Sequence, residues 1–146
     1  MKMVDVSDKP VVRRIAEASG RIKLRKHTVE LIRGGKVEKG DPLAGAQFAG
    51  IEAAKKTWEL LPLCHQIPLT SVDVSFEVGE DFVEVKTRVA ADYKTGVEME
   101  ALTTCAIALL TVWDMVKKYE KDERGEYPYT LIENIRVTSK IKGEYK

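Results

Sequence analysis

The stretch from Val72 to Val116 constrains the fold most. Val72, Val74, Phe76 and Val78 alternate with Asp73, Ser75 and Glu77. After Gly79-Glu80-Asp81 the alternation resumes at Val83, Val85, Thr87 and Val89. Successive side chains of a strand point to opposite faces, so this spacing predicts two half-buried strands joined as a hairpin. From about Val97 the period becomes helical. Leu102, Ala106, Leu109, Trp113 and Val116 form one stripe, and Ala101, Cys105, Ala108, Val112 and Met115 form the next. An apolar face that wide needs cover on more than one side, from a sheet or from another subunit.

The flanking segments complete the outline. His27 to Arg33 fits a short helix, with Thr28 near its start and Gly34 as its left-handed stop. Asp41-Pro42 opens a longer helix, Asp41 as cap and Pro42 in the first turn. Ala44, Phe48, Ile51, Ala54, Trp58 and Leu61 recur three and four apart, predicting an amphipathic helix that ends at Pro62, with Glu52 and Lys56 paired on its wet side. Val11 to Leu24 lacks a clean period, and only Arg21-Ile22-Lys23-Leu24 reads as a strand. Ile135, Val137, Ser139 and Ile141 read as a last strand, and the charge run Lys117 to Arg124 as a solvated helix end and loop. Residues 1–10 and 142–146 read as loose ends. The order β-α-α-β-β-α-β predicts one α+β domain over residues 1–146: a ferredoxin-like antiparallel sheet with helices packed on one face.

Composition narrows the function. A formal net charge of +1 argues against broad nucleic-acid binding. Cys64 and Cys105, with no secretory signal, read as reduced thiols in a cytoplasmic protein, and without a C-x-x-C pair they argue against structural zinc. The run Ala101 to Val116 is interrupted by Thr103, Thr104, Thr111 and Asp114, which suits a buried helix rather than a membrane span. Neither G-x-x-x-x-G-K nor G-x-G-x-x-G occurs, so a nucleotide would be held by another device.

The candidate chemistry sits at the rims of apolar elements. His65, in Leu61-Pro62-Leu63-Cys64-His65, lies between Pro62 and Pro68 and suits an acid, a base or a hydrogen-bond donor. Its bland reading is a loop histidine that only packs. Glu98 and Glu100 share a face if extended but stand roughly 200° apart if helical, and carboxylates in a first helical turn are stabilising without any function. Asp114 and Lys117 lie three apart inside an otherwise apolar run. They read as an aspartate that orients a catalytic lysine, or as a plain helix ion pair. Lys39, in Glu38-Lys39-Gly40-Asp41, precedes a helix start, where it could hold a phosphate or simply face water. The spacing of Cys64, His65, Glu98 and Glu100 matches no standard metal site. On a continuous helix Glu100 and Asp114 stand about 21 Å apart. If both act, the ligand is long or the site is shared between subunits, which predicts an oligomer with interfacial sites.

Met3-Val4-Asp5-Val6-Ser7, Lys39-Gly40-Asp41, Ala49-Gly50-Ile51, Leu63-Cys64-His65, Thr95 to Leu102 and Asp114-Met115-Val116-Lys117 occur in order and, taken together, resemble the molybdenum cofactor biosynthesis protein C family, cyclic pyranopterin monophosphate synthase. The resemblance implies a ferredoxin-like fold and hexamers built as trimers of dimers, with active sites at the dimer interface. It implies conversion of a cyclised dihydro-GTP, made by a radical SAM GTP cyclase, into cyclic pyranopterin monophosphate with loss of pyrophosphate. It places Leu63, Cys64 and His65 in a substrate-binding loop, Met99 and Glu100 in a second binding segment beside Glu98, Asp114 as an active-site acid, and Lys39 and Lys117 as essential lysines. No protein-held metal is implied, although Mg2+ could accompany the triphosphate. Three features depart from the family pattern. Ile141-Lys142 follow Lys140 where small residues are usual, Lys121 to Tyr129 is a longer and more polar connection, and Trp113 replaces a common Tyr. The rival reading is a module that binds a pterin or nucleotide without chemistry.

Overall fold

In the computed structural model, which describes residues 1–143, the elements run β1 (Val12–Lys23), α1 (Lys26–Arg33), α2 (Pro42–Lys55), α3 (Thr57–Leu60), β2 (Leu69–Val78), β3 (Phe82–Tyr93), α4 (Glu98–Glu120) and β4 (Leu131–Gly143). The strands form one antiparallel sheet in the order β2-β3-β1-β4, with the helices packed against it. This is the expected α+β, ferredoxin-like arrangement. The hairpin forms as spaced: β2 meets β3 with Val78 opposite Val83, and the Gly79 N–H closes the turn on the Phe82 carbonyl at 2.9 Å. Val83, Val85, Thr87 and Val89 are buried.

β1 is three times longer than its expected Arg21–Leu24 segment and runs through the middle of the sheet. Its buried alternating residues are Ala16, Ala18, Gly20 and Ile22. The first three are too small to print an apolar period. They are small because α4 lies on them. A methyl group on Gly20 would stand 2.8 Å from Leu109 Cδ1, 2.9 Å from Ile135 Cγ1 and 3.0 Å from Cys105 Sγ.

α4 is long and apolar enough to cross a membrane by length and composition. Here it is the core helix. Ala101, Cys105, Ala108, Leu109, Val112 and Val116 are buried, with sheet on one side and α2 on the other. α2 departs from expectation. It ends at Lys55, and α3 follows separately instead of one helix reaching Pro62. The buried set is Pro42, Ala46, Gly50, Ala53 and Ala54, whereas Phe48 is 71% exposed and Ala44 is exposed as well. The cause is close helix contact: a Cβ on Gly50 would lie 3.2 Å from the Thr104 side chain and carbonyl. Only small residues fit there, so of the expected stripe Ala54 is buried and Ile51 packs against the core, while Ala44, Phe48, Trp58 and Leu61 stay exposed. Asp41 caps as expected, its Oδ1 accepting from the Leu43 and Ala44 N–H groups at 2.9 and 3.3 Å.

Three further details differ. Gly34 stays right-handed (φ −84°), and Gly35 takes the left-handed conformation at φ 66°. The charge run beyond Lys117 is not all solvated, because Glu120 is fully buried. Its carboxylate accepts from the Arg25 N–H at 3.1 and 3.2 Å, from the Thr130 hydroxyl at 2.7 Å and from the Thr28 hydroxyl. A buried carboxylate persists only with such partners. Residues 1–10 hold no helix or strand, yet they are tied down: the Val4 carbonyl meets His65, and Lys94 Nζ donates to the Ser7 carbonyl at 3.0 Å. Lys142 and Gly143 belong to β4; residues 144–146 of the expected loose end lie outside the described residues.

Candidate active site

One cluster forms on the outward face of α4 near its C-terminal end. Lys117, one turn after Asp114, places its Nζ 3.0 Å from Asp114 Oδ1. Lys39 arrives from the loop before α2, its Nζ 3.4 Å from Asp114 Oδ2 and 3.1 Å from the Asp114 carbonyl oxygen. The three residues proposed from sequence as catalytic therefore meet, although Lys39 lies far away in the chain. The two lysines hold the Asp114 carboxyl below its usual range, Lys117 most strongly. In return Asp114 raises the Lys117 ammonium.

A second cluster lines a cavity of about 450 Å³ at the N-terminal end of α4. Leu63, Cys64, His65, Glu98, Met99 and Glu100 all border it, so the six expected binding residues also come together. Arg14, itself buried, shapes the approach by donating to the Tyr93 and Lys94 carbonyls at 3.3 and 3.2 Å, just before Thr95-Gly96. His65 Nε2 lies 2.7 Å from the Val4 carbonyl oxygen. A carbonyl only accepts, so Nε2 carries the proton. Glu98 and Glu100 stand in the first turn of α4 and do not share a face. Glu98 pairs with Lys140 of β4 at 3.2 Å. Glu100 is 3% exposed, and burial pushes its carboxyl up to about 7; its own backbone N–H opposes the rise and Glu98 adds to it. Burial, then the charge of Glu100, raises the Cys64 thiol, so Cys64 is not poised as a thiolate.

Sequence reasoning missed Lys2 and Lys9, which line this cavity from the N-terminal segment, and the pairing of Lys140 with Glu98. No local spacing marks residues brought in from the chain ends. A larger groove of about 510 Å³ lies between Ile51, Trp58 and the start of β2. It is mainly apolar, and Lys55 is its one charged side chain, so it offers no acid–base pair. Among the described residues no three His, Cys, Asp or Glu side chains gather as metal ligands.

The two clusters remain at opposite ends of one helix, continuous from Glu98 to Glu120. Cations gathered on a carboxylate suit stabilisation of departing phosphate charge, and a half-enclosed pocket with a raised carboxyl and a histidine suits proton transfer to a bound ring.

A family model described as MoaC family matches residues 3–143. The chain is 62% identical over 144 residues to the probable cyclic pyranopterin monophosphate synthase of Pyrococcus furiosus, covering 99% of this chain and 92% of the relative. It is 63% identical over 142 residues to that of Pyrococcus abyssi, covering 97% and 89%. A protein of Methanothermobacter thermautotrophicus, described as a probable cyclic pyranopterin monophosphate synthase accessory protein, is 57% identical over 144 residues, covering 99% and 91%.

Proposed function

The chain belongs to the MoaC family, and we propose that it acts as a cyclic pyranopterin monophosphate synthase in molybdenum cofactor biosynthesis, on a cyclised dihydro-GTP supplied by a radical SAM GTP cyclase. The observation that carries the residue assignment is the convergence of Lys39 and Lys117 on Asp114. Ring opening and pyran closure move protons at the base. In the phosphoryl step a substrate hydroxyl attacks the α-phosphorus and forms one P–O bond, its proton passing to the departing pyrophosphate or to water. The bond to the bridging oxygen breaks, and pyrophosphate leaves with the electron pair. Lys39 and Lys117, both cationic, neutralise that departing charge, while Asp114 orients them. Leu63, Cys64, His65, Glu98, Met99 and Glu100 hold the ring, with His65 or Glu100 exchanging its protons. Mg2+, where present, enters on the triphosphate.

The separation of about 21 Å along α4 supports sites shared between subunits, in a hexamer of three dimers. Phe48 (71%) and Leu110 (53%) lie exposed on α2 and α4, which is in keeping with further cover by a second copy. The expected location is the cytoplasm.

The test is turnover of the cyclised dihydro-GTP, read as pyrophosphate release and as pterin fluorescence after oxidation. Wild type should turn over and Lys117→Ala should not. A wild-type protein that binds the substrate but releases no pyrophosphate is a pterin-binding accessory instead. Shared sites are tested by refolding equal amounts of Lys117→Ala and His65→Ala together. Half of the dimers are then mixed, each with one intact site, and about a quarter of wild-type activity returns. No recovery means that each chain builds its own site.

A further inference from the structure

Lys39 is the member of the Asp114 cluster that comes from a loop, and its side chain is about half exposed (46%). A lysine on an exposed turn loses much rotamer freedom when held in one place, so something must fix the turn. The Gly40 N–H donates to the Val37 carbonyl at 3.1 Å, closing a tight turn in which Gly40 takes φ 120°. Val37 is anchored in the core on one side, and Asp41 caps α2 on the other. Between them the Glu38 N–H donates to the Tyr119 hydroxyl at 2.9 Å, and the Glu38 carboxylate pairs with Lys118 Nζ. That pairing lowers the Glu38 carboxyl and raises Lys118. Lys118 and Tyr119 stand on the last turns of α4, four and five residues beyond Asp114. One rigid helix thus holds the tip of Lys39 at Asp114 and the backbone at its root at Tyr119.

We propose that Tyr119 and the Lys118–Glu38 pair are positioning residues that set Lys39 onto Asp114. They touch no reacting atom and act through the turn. The inference rests on the proposed role of Lys39 in pyrophosphate release. Its test is steady-state turnover and melting of Tyr119→Phe, Lys118→Met, Lys118→Arg and Lys39→Ala in the full chain. Tyr119→Phe removes only the accepting hydroxyl and should lower kcat about three- to tenfold, with KM within about twofold and unchanged melting. Lys118→Met should act in the same direction but less, because the pair is exposed, and Lys118→Arg should restore the rate. Unchanged kcat in both Tyr119→Phe and Lys118→Met, with Lys39→Ala inactive, overturns the positioning role and leaves the site reading intact. A drop that tracks lowered melting, and that Lys118→Arg does not rescue, also overturns it. Normal turnover by Lys39→Ala overturns the site reading and the positioning role together.

Discussion

Glu100→Gln should make the protein more stable as pH rises. Glu100 is 3% exposed, and its carboxyl rises from 4.5 to about 7 chiefly through burial. Below 4.5 the group is protonated both folded and unfolded, and burial costs no charge. Between 4.5 and about 7 the unfolded chain releases its proton while the native state retains it. Above about 7 the native state must hold a buried carboxylate, and the full cost applies: about 3–4 kcal/mol, at ~1.4 kcal/mol for each tenfold change in proton affinity. Glutamine keeps the shape and carries no charge. The stability gap between Glu100→Gln and wild type should therefore widen by about 2–3 kcal/mol between roughly pH 5 and pH 8. Urea titrations of both proteins at one fixed concentration measure it, since any subunit association adds a concentration-dependent term. The titratable groups that share the cavity of Glu100 are Glu98, already paired with Lys140, the thiol of Cys64, His65, Lys2 and Lys9. Parallel pH curves for mutant and wild type would refute the buried, raised carboxyl. A gap that narrows with pH would mean that Glu100 has a cationic partner.

The remaining expectations concern packing and buried polar groups. Gly20→Ala should destabilise by about 1–3 kcal/mol, because the new methyl meets Leu109, Ile135 and Cys105 at 2.8–3.0 Å; urea midpoints check it. Glu120→Ala should cost about 2–4 kcal/mol by stranding the Arg25 N–H and the Thr28 and Thr130 hydroxyls, whereas the exposed Glu123→Ala should change melting little. Asp41→Ala should cost about 1 kcal/mol through the lost helix cap, measured in the same way.

The sequence revealed what periodicity and local chemistry write plainly. The β2–β3 hairpin and α4 were legible because branched apolar residues mark their buried faces, and Asp41-Pro42 announced α2 through capping chemistry. β1 was largely hidden because α4 sits so close that Ala16, Ala18 and Gly20 must be small, and small residues carry almost no hydropathy signal. The same tight contact shifted the buried face of α2, where Gly50 and Ala46 face inward beside the expected Ala54 and Phe48 faces out. Glu120 was lost in a run of charges, since nothing local separates a solvated glutamate from one met by Thr28 and Thr130. In the site, the Asp114–Lys117 pair followed from helical spacing. Lys39 was singled out ahead of the α2 start as a phosphate holder, but no local spacing could announce that its side chain meets Asp114.

Under the proposed function, the arrangement also divides the acid–base work. Asp114 holds Lys117 in its ammonium form, the opposite of what a general base requires. Bringing a polyphosphate close would raise that lysine further, because a second set of negative charges again favours the cation. The Asp114 cluster therefore suits proton donation and the neutralising of a leaving pyrophosphate, and it is ill suited to removing a proton. Under that proposal, the groups suited to accept a proton lie at the other end of α4. There Glu100, raised to about 7 by burial, changes protonation near neutrality, and His65 stands beside it in the same cavity. Environments that push one group up as a cation and another up as a neutral acid give the two ends of α4 opposite tasks. A rigid helix of 23 residues keeps those ends apart within one chain. In the shared site proposed above, an acid from one subunit and a base from its neighbour would both reach one substrate.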